Sequence, residues 1–133
     1  MIKIVNANTL EAKDVLLDLT SKVKSSHTEE TVKMWLTFNL GTDMFSAWIA
    51  YDKDEPVGLI TGEVVNAEGP TVFIAFNYVK SGTAINGQLI HKVEDWAKKL
   101  EIKKLLYYTK KSPATFIKKH GFELVQSVLK KEL

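Results

Sequence analysis

The amino-acid sequence predicts a mixed α/β (α+β) fold: a central, mostly antiparallel sheet of about six strands flanked by four helices, in the order β-α-α-β-β-β-α-β-α-β. Three observations carry this reading. Between residues 44 and 78 apolar runs are interrupted only by Asp52-Lys53-Asp54-Glu55 and Asn66-Ala67-Glu68-Gly69-Pro70, which have the composition of turns and mark a strand meander. Beyond residue 88 the pattern becomes helical, with Leu89, Val93, Trp96 and Leu100 on one stripe. Near the end, Ser112-Pro113 and Gly121 bracket a further helix: Ser caps, Pro is preorganised at the first helical position, and Gly takes a left-handed cap.

Taken in order, residues 2–5 form a short first strand. Thr9 caps a helix whose Ala12, Val15, Leu16, Leu19 and Val23 recur at helical spacing. The polar break Ser25-Ser26-His27 precedes Thr28, the cap of a second helix with Glu29 and Glu30 in its first turn. That helix is apolar nearly all round, through Val32, Met34, Trp35, Leu36, Phe38 and Leu40; one face packs on the core and the remainder covers a partner, a ligand or nothing identifiable. Residues 44–51 and 56–65 form a β-hairpin, and 71–78 the third strand of the meander. The next helix runs to Leu100 with His91, Lys92, Glu94, Asp95, Lys98 and Lys99 turned outward. Residues 104–109 are a strand, and 122 to about 129 a terminal strand. The strand–helix–strand unit over 71–109 requires a right-handed crossover, so its two strands run parallel.

A length of 133 residues, 45% apolar and 26% charged, fits one globular domain spanning 1–133. No apolar run approaches the ~20 residues of a membrane helix, and Met1-Ile2-Lys3-Ile4 does not read as a signal peptide. Zero cysteines remove disulfides, a thiolate nucleophile and cysteine-ligated metal, so a cytoplasmic, reducing setting is expected. His27, His91 and His120 are too scattered to ligate a metal. All 18 basic residues are lysine. Any bound anion must therefore be held by backbone amides, hydroxyls and lysine, without guanidinium forks. Charge is also asymmetric: residues 98–133 carry ten Lys against three Glu, net +7, leaving −5 on residues 1–97.

The most informative stretch is 76–90, where an apolar strand empties through a small-residue loop into a helix. Such a junction aims orphan backbone N–H groups and the positive end of a helix dipole at one spot, which attracts anions. Between Glu68 and Glu94 there is no Asp or Glu at all. The parallel arrangement also brings Lys110 and Lys111, after the strand 104–109, to the same sheet edge as the loop 80–87.

The order of elements, the position of this loop and the closing Lys119-His120-Gly121-Phe122 together resemble the GNAT superfamily, the acetyl-CoA-dependent N-acyltransferases, and most of all its small divergent members carried by phages and mobile elements. The resemblance spans essentially the whole chain. It implies acetyl-CoA as cosubstrate, with its pyrophosphate in a loop that in the family reads Gln/Arg-x-x-Gly-x-Gly/Ala; here Ser81 stands at the first position, Ala84 at the first glycine and Asn86 at the last. By the same resemblance Tyr78, Val79, Lys80, Ser81, Gly82, Thr83, Ala84, Ile85, Asn86, Gly87, Lys110, Lys111 and Phe116 line the cofactor site. Ala84 adds a methyl where backbone approaches a phosphate and is more confined in φ than Gly. Asn86 tolerates left-handed conformations, and Lys80 stands in for the long donor that Ser81 lacks.

For chemistry, the family requires a base for the acceptor amine and often a tyrosine acid four residues before the Gly-Phe pair; that position is Ile117, which cannot donate a proton. Tyr107 and Tyr108 are the alternatives, one on each side of their strand. Glu63, in mid-hairpin, is the candidate base, its pKa raised by burial, although a solvent-facing strand residue reads the same way.

Three functions compete. The first is an N-acyltransferase acting on an unidentified amine. The second is a catalytically degenerate module of the same fold working through protein contacts of helix 28–40, a reading favoured by Ile117 and Ala84. The third, ranked last, is nucleic-acid binding by the lysine-rich end, for which no recognition motif exists. Eleven residues after Phe122 are too few for two closing strands, so either the last strand is single or a homodimer partner completes the sheet.

Overall fold

The computed structural model describes residues 1–23 and 27–107. The sequence-predicted helix at 112–121, the terminal strand from 122, and Tyr108, Lys110, Lys111, Phe116 and Ile117 lie outside the described residues. Within them, strands β1 (Ile2–Asn6), β2 (Phe45–Asp52), β3 (Glu55–Asn66), β4 (Pro70–Ile74), β5 (Asn77–Val79) and β6 (Leu105–Tyr107) make a six-stranded sheet, joined by helices α1 (Lys13–Thr20), α2 (Glu29–Asn39) and α3 (Asn86–Lys99). The strand order is β1-β2-β3-β4-β6, with β5 also on β3. All pairings are antiparallel except β4 with β6, which the α3 crossover makes parallel.

Local chemistry accounts for most boundaries. The β2–β3 turn closes through Lys53 in the left-handed region at φ 58. The β3–β4 turn is locked by Asn66 Oδ1, which accepts from Gly69 N–H at 3.1 Å, where Gly69 sits at φ 107. Thr28 caps α2, its hydroxyl accepting from Thr31 N–H at 3.2 Å. Thr9 behaves differently from expectation: it precedes a 3₁₀ turn, Leu10–Ala12, and makes no side-chain cap bond. The expected face of α3 holds at Leu89, Val93 and Trp96, which all pack on one core, and departs only at its end. Leu89, Ile90, Val93 and Ala97 are buried, while Leu100, the residue that caps the end of α3, is 37% exposed.

The largest departure is in the strand expected at 71–78, which is two strands. Between the pairs Ile60–Asn77 and Glu63–Phe73, β3 supplies Thr61 and Gly62 while the opposing chain supplies Ile74, Ala75 and Phe76. One extra residue on one side is a β-bulge, and it bends β5 away from the line of β4. A period-2 apolar pattern contains no sign of this, since the extra residue is itself apolar.

The sheet carries a core on each face. On one side Trp48, Ile60, Val72 and Ile74 pack with the buried face of α3; on the other Phe45, Ile49, Leu59 and Phe76 pack with Leu16, Leu19, Val32 and Leu36 from α1 and α2. Gly62 lets α3 approach: a Cβ there would lie 3.2 Å from both Trp96 Cζ3 and Val72 Cγ1. On α2 only Val32 and Leu36 are buried, and Met34 and Phe38 stand 61% and 74% exposed. Among the described residues no helix is long and apolar enough to cross a membrane.

Candidate active site

The bulge delivers β5 into the loop 80–85 and the start of α3. Lys80 N–H donates to Val57 O at 2.8 Å, and Lys80 O accepts from both Thr83 N–H (3.1 Å) and Thr83 Oγ1 (2.7 Å). Gly82 turns the chain at φ 84, a conformation that favours glycine. The residue preceding α3 is Ile85, which is buried and has no side-chain acceptor to offer. The N–H groups of Gln88 and Leu89 both go to Ile85 O. Those of Asn86 and Gly87 have no acceptor among the described residues, and the first turn contains no acid. A Cβ built on Gly82 or Gly87 meets nothing within 4 Å. The loop is therefore an open, donor-rich cradle of the kind an anionic phosphate fits.

Lys80, expected as a donor for the ligand, is instead paired with Glu55 at 2.9 Å, and that hydrogen bond and charge hold its ammonium pKa above the ordinary value. Both groups are solvent-exposed, so a competing anion displaces Glu55 at little cost. Tyr78 and Val79, also expected at the site, lie on β5 facing opposite cores. Lys22 Nζ from the end of α1 sits 5.9 Å from the Tyr78 ring centroid.

The two described catalytic candidates lie on opposite faces of the sheet. Tyr107 packs with the α3 core; its hydroxyl donates to Asn77 Oδ1 at 3.1 Å, and burial pushes its pKa up. Glu63 sits in register with Phe45 and Phe73 on the α1–α2 side. Partial burial raises the Glu63 carboxyl pKa, and the Trp35 indole opposes that rise by hydrogen bonding. Trp35 is itself fixed by aromatic contacts, 5.2 Å edge-on to Phe45 and 5.4 Å from Phe76. Beside this cluster, a cavity of about 250 Å³ opens between α1 and α2, lined by Leu17, Thr20, Glu29, Val32 and Phe76 among others.

Three residues to which the sequence reading gave no individual role shape the site. Thr61, fully buried, holds the bulge by accepting from Phe76 N–H at 3.1 Å. Phe76 joins the bulge to the cavity. Asn77 bonds three other elements at once, through Leu59 O, Asn86 Oδ1 and Tyr107 Oη. A threonine and an asparagine inside otherwise apolar strands were the available signal.

Several solved structures share this architecture. A predicted acetyltransferase from Clostridium acetobutylicum, crystallised with acetyl-CoA, superposes with a TM-score of 0.80 at 15% identity, over 99% of this chain and 96% of its own. The aminoglycoside N-acetyltransferase AAC(6')-Iy, in complex with a CoA-linked bisubstrate analogue, gives 0.79 at 19% identity, over 100% and 98%. The aminoglycoside 6'-N-acetyltransferase AAC(6')-IG from Acinetobacter haemolyticus, without ligand, gives 0.81 at 16% identity, over 98% and 97%. No curated protein matches the sequence significantly. The family model for the acetyltransferase (GNAT) family matches residues 12–122, and with the bulged sheet and the open start of α3 in place, the chain belongs to the GNAT acetyltransferase family.

Proposed function

We propose that this protein is an acetyl-CoA-dependent N-acyltransferase that moves an acetyl group to an amine. The observation that carries the reading is the junction from β5 to α3: after the bulge β5 pairs with β3 alone, and it leads through the loop into first-turn amides that have no acceptor and no first-turn acid among the described residues. Solved structures of the same fold with acetyl-CoA or a CoA conjugate bound support it. When bound, acetyl-CoA supplies an activated acetyl thioester. The N–H groups of Asn86 and Gly87 and the open loop before them would hold its pyrophosphate, with Lys80 as a further donor; Lys110, Lys111 and Phe116, which the sequence also assigns to this role, lie outside the described residues.

The acceptor amine would lie over α2 and the β2–β3 hairpin, on the face that carries Glu63 beside Trp35. The Glu63 carboxylate takes the amine proton, directly or through a water, and burial makes it a stronger base than an exposed carboxylate. A backbone N–H near Tyr78 or Val79 stabilises negative charge on the carbonyl oxygen. Tyr108 or Tyr107 returns a proton to the departing thiolate. Calorimetric titration with acetyl-CoA tests the reading, and absence of heat at millimolar ligand removes it.

A second reading rests on α2, which buries only Val32 and Leu36 and leaves Met34 and Phe38 exposed: a fold retained for protein contacts, including self-association as a dimer. Phe38→Glu would then abolish association measured by sedimentation without altering acetyl-CoA binding.

A further inference from the structure

Asn77 Nδ2 donates to Leu59 O at 3.2 Å and to Asn86 Oδ1 at 2.8 Å, and Asn77 Oδ1 accepts from Tyr107 Oη at 3.1 Å. The orientation of this amide follows from chemistry. Leu59 O only accepts, so the Asn77 nitrogen must face it. Two donors on that nitrogen then require Asn86 to present its oxygen. One side chain on β5 thus ties β3, β6 and the first residue of α3 together.

The consequence concerns the cradle. Asn86 Oδ1 is a polar acceptor on the first residue of α3, beside the N–H groups of Asn86 and Gly87. Asparagine oxygens readily turn onto nearby backbone amides. Here that oxygen is drawn to Asn77. Ile85, the preceding residue, has no acceptor to replace it. We propose that Asn77 is a positioning residue that keeps the cradle open: it engages Asn86, the first side chain of α3, which borders the anion site, and Tyr107 anchors Asn77 in turn.

This inference rests on the coenzyme A reading of the loop, and it adds a residue that touches neither the acetyl group nor the phosphates. The test is calorimetric binding of CoA and of 3'-phospho-ADP, which carries the pyrophosphate without the thiol arm, with the ligand-free melting temperature of each variant. Wild type binds both. Asn77→Ala weakens both by about 3- to 10-fold, the span that one released hydrogen bond competing with a ligand yields. Asn77→Ala/Asn86→Ala recovers most of that loss, because the oxygen that Asn77 had held is gone. A purely structural role for Asn77 predicts no recovery, so an unrepaired double variant overturns the proposal, as does folded Asn77→Ala binding like wild type. If Asn77→Ala does not fold, Tyr107→Phe carries the test with a smaller loss in the same direction, and unchanged affinity counts against the idea. Wild type that binds neither ligand removes the coenzyme A reading itself, a result distinct from all of these.

Discussion

Thr61 and Phe76 grip one another across the bulge: Thr61 N–H donates to Phe76 O at 3.0 Å, and Phe76 N–H donates to the Thr61 hydroxyl at 3.1 Å. A side chain here replaces a backbone acceptor that the extra residue has carried out of register. Both residues are buried, so water cannot substitute for the hydroxyl. Thr61→Val, nearly the same shape, leaves the Phe76 N–H unsatisfied. The expected result is a loss of about 1–3 kcal/mol in urea unfolding, with weaker acetyl-CoA binding as β5 loses its fixed exit angle. Unchanged stability would show that the bulge is held by its flanking pairs alone.

Gly58 and Gly62 offer a matched pair on the same strand. A Cβ on Gly58 would come within 2.9 Å of Tyr78 O, a backbone atom of β5, whereas on Gly62 it meets side-chain atoms at 3.2 Å. Side chains repack more readily than a strand. Gly58→Ala should therefore cost more stability than Gly62→Ala, and it alone should weaken CoA affinity, because the shifted strand carries the Lys80 N–H bond to Val57 O. Equal effects of the two on melting temperature and affinity would refute this ordering.

Glu63 links stability and rate to pH. Its folded-state pKa lies above the ordinary carboxylate value because burial outweighs the Trp35 hydrogen bond. The native state then holds a proton that the unfolded state has already released, so this group's contribution falls as pH rises from the unfolded pKa through the folded one. Glu63→Gln should be relatively stabilised at neutral pH, with the difference vanishing in acid below the ordinary carboxylate range. If Glu63 is the base, the acid limb of kcat/KM lies above that ordinary range and disappears in Glu63→Gln. Trp35→Phe should move the limb higher still, since the indole opposes the rise. Pre-steady-state and pH–rate measurements decide this, and an identical profile in Glu63→Gln excludes the carboxylate as base.

The Lys80–Glu55 pair is exposed on both sides, so its removal should leave stability unmoved. Glu55→Gln frees the ammonium for a phosphate, and CoA should bind a few-fold tighter at low salt, with the gain lost as salt screens it. Weaker binding in Glu55→Gln would mean that Glu55 aims Lys80 rather than competing for it.

Local chemistry written in the chain determined the order of elements through β6, apart from the strand at 71–78, together with the β2–β3 hairpin, the Thr28 cap, the parallel β4–β6 crossover and the family resemblance, because turn residues, caps and periodicity act over a few positions. The donor-rich start of α3 was legible for the same reason, as an acid-free, small-residue loop after a strand. Only the tertiary structure decided what depends on register between distant strands. The extra residue at Ala75–Phe76 is invisible in an apolar run, yet it makes two strands of the one expected at 71–78. The sheet placed Glu63 and Tyr107 on opposite faces, and it drew Asn77 to Leu59, Asn86 and Tyr107, partners up to thirty residues away. A side chain's neighbours across a sheet are fixed by pairing and bulges, and these are settled by the packing of both cores together.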